Sequence, residues 1–189
     1  MSDWNLELTT RIATAVRSLR EVGDISAQGL SDRTAELGHR VTRALIADLE
    51  TGRRKYVSVS ELVMLSAALG VSPGVLVTWD LIPDGDVEVI PGRTVSGLEA
   101  LEWWGGKPLN PFSTAALGLP RDNPRIADLV EASRERSRLH TLLIKSRIGG
   151  IGDFDPAIVP TVRERLQGVL QRIRDLGGVL RTEDTKGEG

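Results

Sequence analysis

Apolar residues recur at helical spacing through the first eighty positions, broken at short intervals by a capping residue or a glycine. That alternation limits the chain to short, closely packed helices. Leu8, Ile12, Val16 and Leu19 lie at i, i+4, i+8 and i+11 and predict a first helix over residues 6–22, ended by Gly23. Ser26 caps a second, with Leu30, Ala35 and Leu37 inward and Gly38 supplying the left-handed stop. Thr42 caps a third over residues 43–50, which buries Leu45, Ile46 and Leu49 and ends near Gly52. Ser58 and Glu61 form a capping box for a fourth, with Leu62, Leu65 and Leu69 inward and Gly70 at its end. Ser72-Pro73 opens a fifth, because proline at the first helical position forfeits no hydrogen bond.

Beyond residue 79 the pattern changes. Residues 80–86 are rich in acids and helix breakers and read as a connector. Val87 and Val89 suggest one short extended segment, ended by Pro91-Gly92. Ser96 and Glu99 predict another capping box, opening a helix with Leu98, Leu101 and Trp104 inward and stopped by Gly105-Gly106. Trp103 and Trp104 are adjacent on that helix and point about 100° apart, so one belongs to the core and the other to its rim. Residues 107–121, with three prolines, are expected to be irregular. Asn123-Pro124 launches the longest helix, to about Ile148, with Ile126, Leu129 or Val130, Ser133, His140, Leu143 and Ile144 as its stripe. A last helix, entered at Asp155-Pro156, places Val162, Leu166, Val169, Ile173 and Leu176 inward and completes an antiparallel pair. The glycine-rich loop at 149–155 lacks a preceding strand and a Gly-Lys-Ser/Thr continuation, so it reads as a turn and helix cap, not a phosphate or metal loop.

The expected fold class is therefore mainly α: a five-helix helix-turn-helix domain over residues 1–79, then a second helical domain over 80–181 with a long helix pair and at most a short strand. Residues 182–189 hold no apolar side chain and are expected to be a disordered tail.

Composition narrows the chemistry. The 189 residues include no cysteine and only two histidines, His39 and His140, so thiol nucleophiles, iron–sulfur clusters and cysteine-ligated zinc are excluded. A base, a nucleophile and an oxyanion donor cannot be assembled from what is left, so neither an enzyme nor a cofactor or metal site is expected. No run of about 18 apolar residues predicts a membrane span, and Asp3, Glu7, Glu21 and Asp24 occupy the region where a secretory signal would be basic and then apolar. A cytoplasmic protein without a membrane partner is expected. The net charge of −2 is uninformative, but its distribution is uneven. Residues 38–56 carry five Arg or Lys against two Asp or Glu, residues 80–102 carry one against six, and residues 121–181 carry twelve against eight.

The segment Ile25-Ser26-Ala27-Gln28-Gly29-Leu30-Ser31 is followed by Val41-Thr42-Arg43-Ala44-Leu45-Ile46-Ala47-Asp48-Leu49-Glu50-Thr51-Gly52-Arg53-Arg54 and the closing run Ala68-Leu69-Gly70-Val71-Ser72. Over roughly the first 80 residues this resembles the Cro and phage-repressor type, XRE-like, helix-turn-helix family of transcriptional regulators. Two features depart from that pattern. Twelve positions separate Leu30 from Thr42, so the turn or second helix is longer, and the family's glutamine position holds Ala27, with Gln28 beside it.

The resemblance implies double-stranded DNA as partner, read in the major groove by the helix that begins at Thr42. A helix entering that groove needs short or hydrogen-bonding side chains at its leading end, which Thr42, Arg43, Ala44 and Ala47 supply. Arg43 suits a guanine edge, the alanines allow close approach, and Gln28, Arg40, Arg53, Arg54 and Lys55 complete the expected contacts, largely to phosphates. Glu50 is expected to pair with an arginine inside the domain. The resulting expectation is a sequence-specific transcriptional repressor, of the phage or prophage immunity type, acting as a homodimer or as a monomer with two DNA-contacting modules. The alternative is a protein-interaction module such as an antitoxin, neutralising a partner protein and regulating its own synthesis.

Overall fold

The computed structural model describes residues 3–118, 120, 123–148 and 156–181. Among these it is mainly helical, with nine α-helices and a single two-stranded antiparallel sheet. The chain divides into two compact units, residues 1–105 with 109–119, and residues 106–108 with 120–189.

The first unit begins with five helices: α1 (Trp4–Val22), α2 (Ala27–Glu36), α3 (Arg43–Glu50), α4 (Val59–Leu69) and α5 (Pro73–Val77). Each of the first four starts at a side chain that accepts a backbone N–H otherwise without a helical partner. Asp3 accepts from Leu6, Ser26 from Gly29, Thr42 from Leu45 and Ser58 from Glu61, the last with the reciprocal bond of a full capping box. Gly70 closes α4 at φ 73°, a left-handed conformation that costs glycine little. The helices enclose one core, in which Val16, Leu30, Val41, Ile46, Leu49, Leu65 and Leu76 are almost fully buried.

Leu37 departs from its expected place. It caps the end of α2 and is 55% exposed, because Gly38 at φ 97° turns the chain away. Thr34 fills the inward position instead. Its hydroxyl donates to the Ser31 carbonyl at 2.7 Å and accepts the Val41 N–H at 2.9 Å, which pins both ends of the longer turn.

The same unit continues through β1 (Asp86–Ile90), β2 (Arg93–Ser96), α6 (Gly97–Trp104) and α7 (Pro111–Ala116). The expected single extended segment is a hairpin, with Val87 opposite Val95 and Glu88 opposite Thr94. Arg93-Thr94-Val95-Ser96 carries one apolar residue, too few to betray a strand by alternation. Val87, Val89 and Val95 form a second small core with Ala100, Leu109 and Leu117. The division expected after residue 79 therefore falls inside a compact unit: the Trp4 indole donates to the Glu88 carbonyl at 3.0 Å, and Gly74 of α5 packs against Leu101 of α6.

At the start of α6, Gly97 lies so close to the Leu81 carbonyl that any Cβ would collide with it. Leu98 is exposed instead of inward, and Ala100 takes the buried position. Trp103 packs on the second core while Trp104 is half exposed, their rings meeting edge to face at 6.4 Å. The Ser96 hydroxyl accepts the Glu99 N–H, but the Glu99 carboxylate does not complete a box. It accepts from the Asn110 backbone and side chain and from Ser113, tying α6 to α7. Helix α7 replaces the expected irregular stretch: Asn110 caps it, and Pro111 occupies a position where proline starts a helix rather than breaking one.

In the second unit α8 (Pro124–Ile148) packs against α9 (Val159–Asp175), which follows a short 3₁₀ turn (Pro156–Ile158). Glu135 pairs with Arg165 and Asp128 with Arg172, and Arg125 donates to the Leu176 carbonyl, so the helices run antiparallel. Val162, Leu166, Val169, Leu170 and Ile173 of α9 face Ala132 and Leu139 of α8, with Leu129, Leu142 and Leu143 beside them. The α8 stripe is rotated from the expected one: Ile126, Ser133 and Ile144 are exposed. The loop at 149–155 and the tail at 182–189 lie outside the described residues. No helix among the described residues is long and apolar enough to cross a membrane.

Candidate nucleic-acid interface

Helix α3 is held by one side only. Val41, Ile46 and Leu49 are buried and Leu45 is half buried, which leaves Thr42, Arg43, Ala44 and Ala47 exposed on the opposite face. Arg43 makes no hydrogen bond or ion pair among the described residues, so its guanidinium is available at the leading end of the helix. The two alanines keep the backbone approachable beside it.

The trailing end of α3 is anchored. Arg20 of α1 grips Glu50 in a fork, Nε to Oε1 at 2.9 Å and Nη2 to Oε2 at 2.8 Å, and both side chains are largely buried. The chain after α3 is then fixed through the Lys55 carbonyl, which accepts from Asn5 Nδ2 at 3.0 Å and Thr9 Oγ1 at 3.1 Å. The Lys55 side chain is exposed and without a partner among the described residues.

The two arginines after α3 differ. Arg53 is exposed and rests on Asp48 at 3.2 Å, an ion pair weak enough for a phosphate to displace. Arg54 departs from its expected phosphate role. It is mostly buried, donates to Glu61 at 2.9 Å and lies over the Tyr56 ring at 5.0 Å. Burial opposes the charges of this pair, but Ser58 and Arg54 together hold the Glu61 carboxyl below its usual pKa. Arg54 is thus part of the capping assembly of α4.

Gln28 and Arg40 converge on an acid that the sequence does not single out. Gln28 Nε2 donates to both carboxylate oxygens of Asp32, at 3.0 and 3.1 Å, and Arg40 Nη1 donates to Asp32 Oδ1 at 2.9 Å and to Ser31 Oγ at 3.3 Å. The Gln28 bond, then Arg40, holds the Asp32 pKa below the usual carboxylate value. The spacing of Gln28 and Asp32 is a helical neighbour pair legible in the sequence; the return of Arg40 onto it depends on how the turn folds. His39 is exposed in that turn.

What results is an exposed helix face of two methyl groups and an arginine without a partner among the described residues, with exposed cations in the segments before and after the helix: Arg40 and Arg53 in solvent-facing ion pairs, and Lys55. No group of three or more His, Asp or Glu side chains among the described residues is arranged to hold a metal ion. No protein-family model, curated protein or solved structure matches this chain.

Proposed function

We propose that this chain is a sequence-specific, double-stranded-DNA-binding transcriptional repressor that inserts α3 into the major groove. The observation that carries the reading is the division of α3 into a locked face, Ile46 and Leu49, and an open face, Arg43, Ala44 and Ala47. A major groove about 12 Å wide accepts a helix whose leading side chains are small or can bond base edges.

Arg43 offers two parallel N–H donors to guanine O6 and N7, and the Ala44 and Ala47 methyls suit thymine methyl contacts. Arg53 and Lys55 supply phosphate contacts, which set register and add affinity that weakens with salt. Arg54 and Glu50 serve indirectly by fixing the segments on either side. Occupying an operator blocks transcription without a chemical step, so the mechanism draws on binding alone.

Selection of bound sites from random duplex DNA tests the reading. A defined motif several base pairs long is expected; a pool that stays random through successive rounds overturns it. A palindromic motif assigns a homodimer, and an asymmetric one assigns two DNA-contacting modules within a monomer.

A further inference from the structure

A carboxylate sits among the very groups assigned to DNA. The Asp32 side chain is 48% exposed and gathers Gln28 from its own helix and Arg40 from the turn before α3. On a surface meant for a polyanion such a charge costs affinity, so its contacts must explain its place.

They do two things. First, they orient Gln28: its amide nitrogen faces a carboxylate, and the flipped amide would set oxygen against oxygen. The amide nitrogen of Gln28 is thereby engaged, and its carbonyl oxygen, on an exposed side chain, is left as an acceptor that suits the amino group of adenine or cytosine and repels phosphate. Second, they hold Arg40 between Ser31 and Asp32, so that its charge does not range freely over the backbone of any duplex.

We propose that Asp32 is a positioning residue for sequence selectivity: it fixes Gln28 and Arg40 in one arrangement and disfavours duplexes that give that arrangement no partner. The inference rests on the DNA-reading role of α3. On a non-cognate duplex Asp32 contributes only repulsion, which salt screens beyond a Debye length of about 8 Å. On the cognate duplex the oriented Gln28 and Arg40 offset that repulsion. Selectivity then arises as a difference of affinities, part of it from a repulsive element.

The experiment compares the full-length wild-type chain with Asp32→Asn, Arg40→Gln and the double variant. Each is titrated with the selected site and with a random-sequence duplex of equal length, over a range of salt concentrations. Asp32→Asn is expected to bind the random duplex about five-fold more tightly, with no gain on the selected site, and with a salt slope steeper by about one as Arg40 is released. Arg40→Gln is expected to weaken random-duplex binding more in the Asp32→Asn background than in the wild type. Equal effects of Asp32→Asn on both duplexes, or no effect on either, would overturn the proposal. Thermal midpoints measured alongside identify a merely structural loss, which lowers both affinities together and also counts against it. If wild type fails to prefer its selected site, the reading of α3 fails and this inference with it; if wild type discriminates and Asp32→Asn discriminates equally, this inference fails alone.

Discussion

Arg20 and Glu50 form a two-pronged ion pair between the last turn of the first unit's longest helix and the last residue of α3. The pair lies mostly out of solvent, and Arg20 also donates to the Ile25 carbonyl at 2.9 Å. One guanidinium thus connects α1, the turn before α2, and α3.

Removing one partner leaves the other charge desolvated and alone. Glu50→Met or Arg20→Met is expected to destabilise the first unit by roughly 3 kcal/mol. Replacing both with methionine should cost less than the two single changes added together, since apolar substitutes desolvate without charge. Urea denaturation of the four proteins checks this; strict additivity would show that the two residues do not act as a pair.

Glu61 gives the unit an acid-sensitive contact. Its folded pKa is depressed, so its ionised form adds stability that is complete above the unfolded carboxylate value, about 4.3, and fades as pH falls through the lower folded value. Thermal midpoints measured from pH 7 to pH 3 should drop less steeply below pH 4.3 in Glu61→Gln than in wild type. At pH 7 the variant should be less stable by about 1 to 2 kcal/mol, since glutamine can still accept the Ser58 N–H but only as a neutral acceptor, and the ion pair with Arg54 is gone. Parallel pH profiles would remove Glu61 from the account.

Arg43 has no side-chain partner among the described residues, so its loss should leave the fold intact. Arg43→Ala is expected to keep the wild-type thermal midpoint while weakening specific binding by about 1 to 3 kcal/mol and relaxing preference at one base pair. Fluorescence anisotropy on a panel of single-base variants of the selected site measures both. Retained affinity with retained base preference would refute the assignment.

The neighbouring arginines should separate cleanly. Arg53→Gln, at an exposed site, is expected to lower affinity for all duplexes and flatten the salt slope by about one without changing stability. Arg54→Gln is expected to destabilise the fold by about 1 to 3 kcal/mol, because it strips Glu61 of its cation and Tyr56 of its stacked guanidinium. Reversed outcomes would exchange their roles.

Much of the fold was legible because its punctuation is local. A cap needs only a side chain and the N–H three residues on, so Ser26, Thr42 and Ser58 placed the starts of α2, α3 and α4, and Asn123-Pro124 the start of α8. The open face of α3 followed from the same periodicity, since Ile46 and Leu49 leave Arg43, Ala44 and Ala47 outside. The sign of Glu50's partner was readable from its misfit on a basic segment, whereas its identity, Arg20, required knowing how α1 crosses α3.

Other features existed only in three dimensions. Strand β2 has one apolar residue and becomes a strand by pairing with β1. The stripe of α8 was ambiguous because that helix carries apolar residues on several sides, and contact with α9 selects Ala132 and Leu139 over Ile126 and Ile144. Arg53 and Arg54 are identical in type and adjacent in the chain, yet one faces solvent and the other closes on Glu61. Asp32 acquires its importance from Arg40, eight residues away across a turn. Helix ends are set by bonds among near neighbours, so the one-dimensional pattern determines them; the partner of a charge is set by which surfaces the core brings together, and only packing decides that.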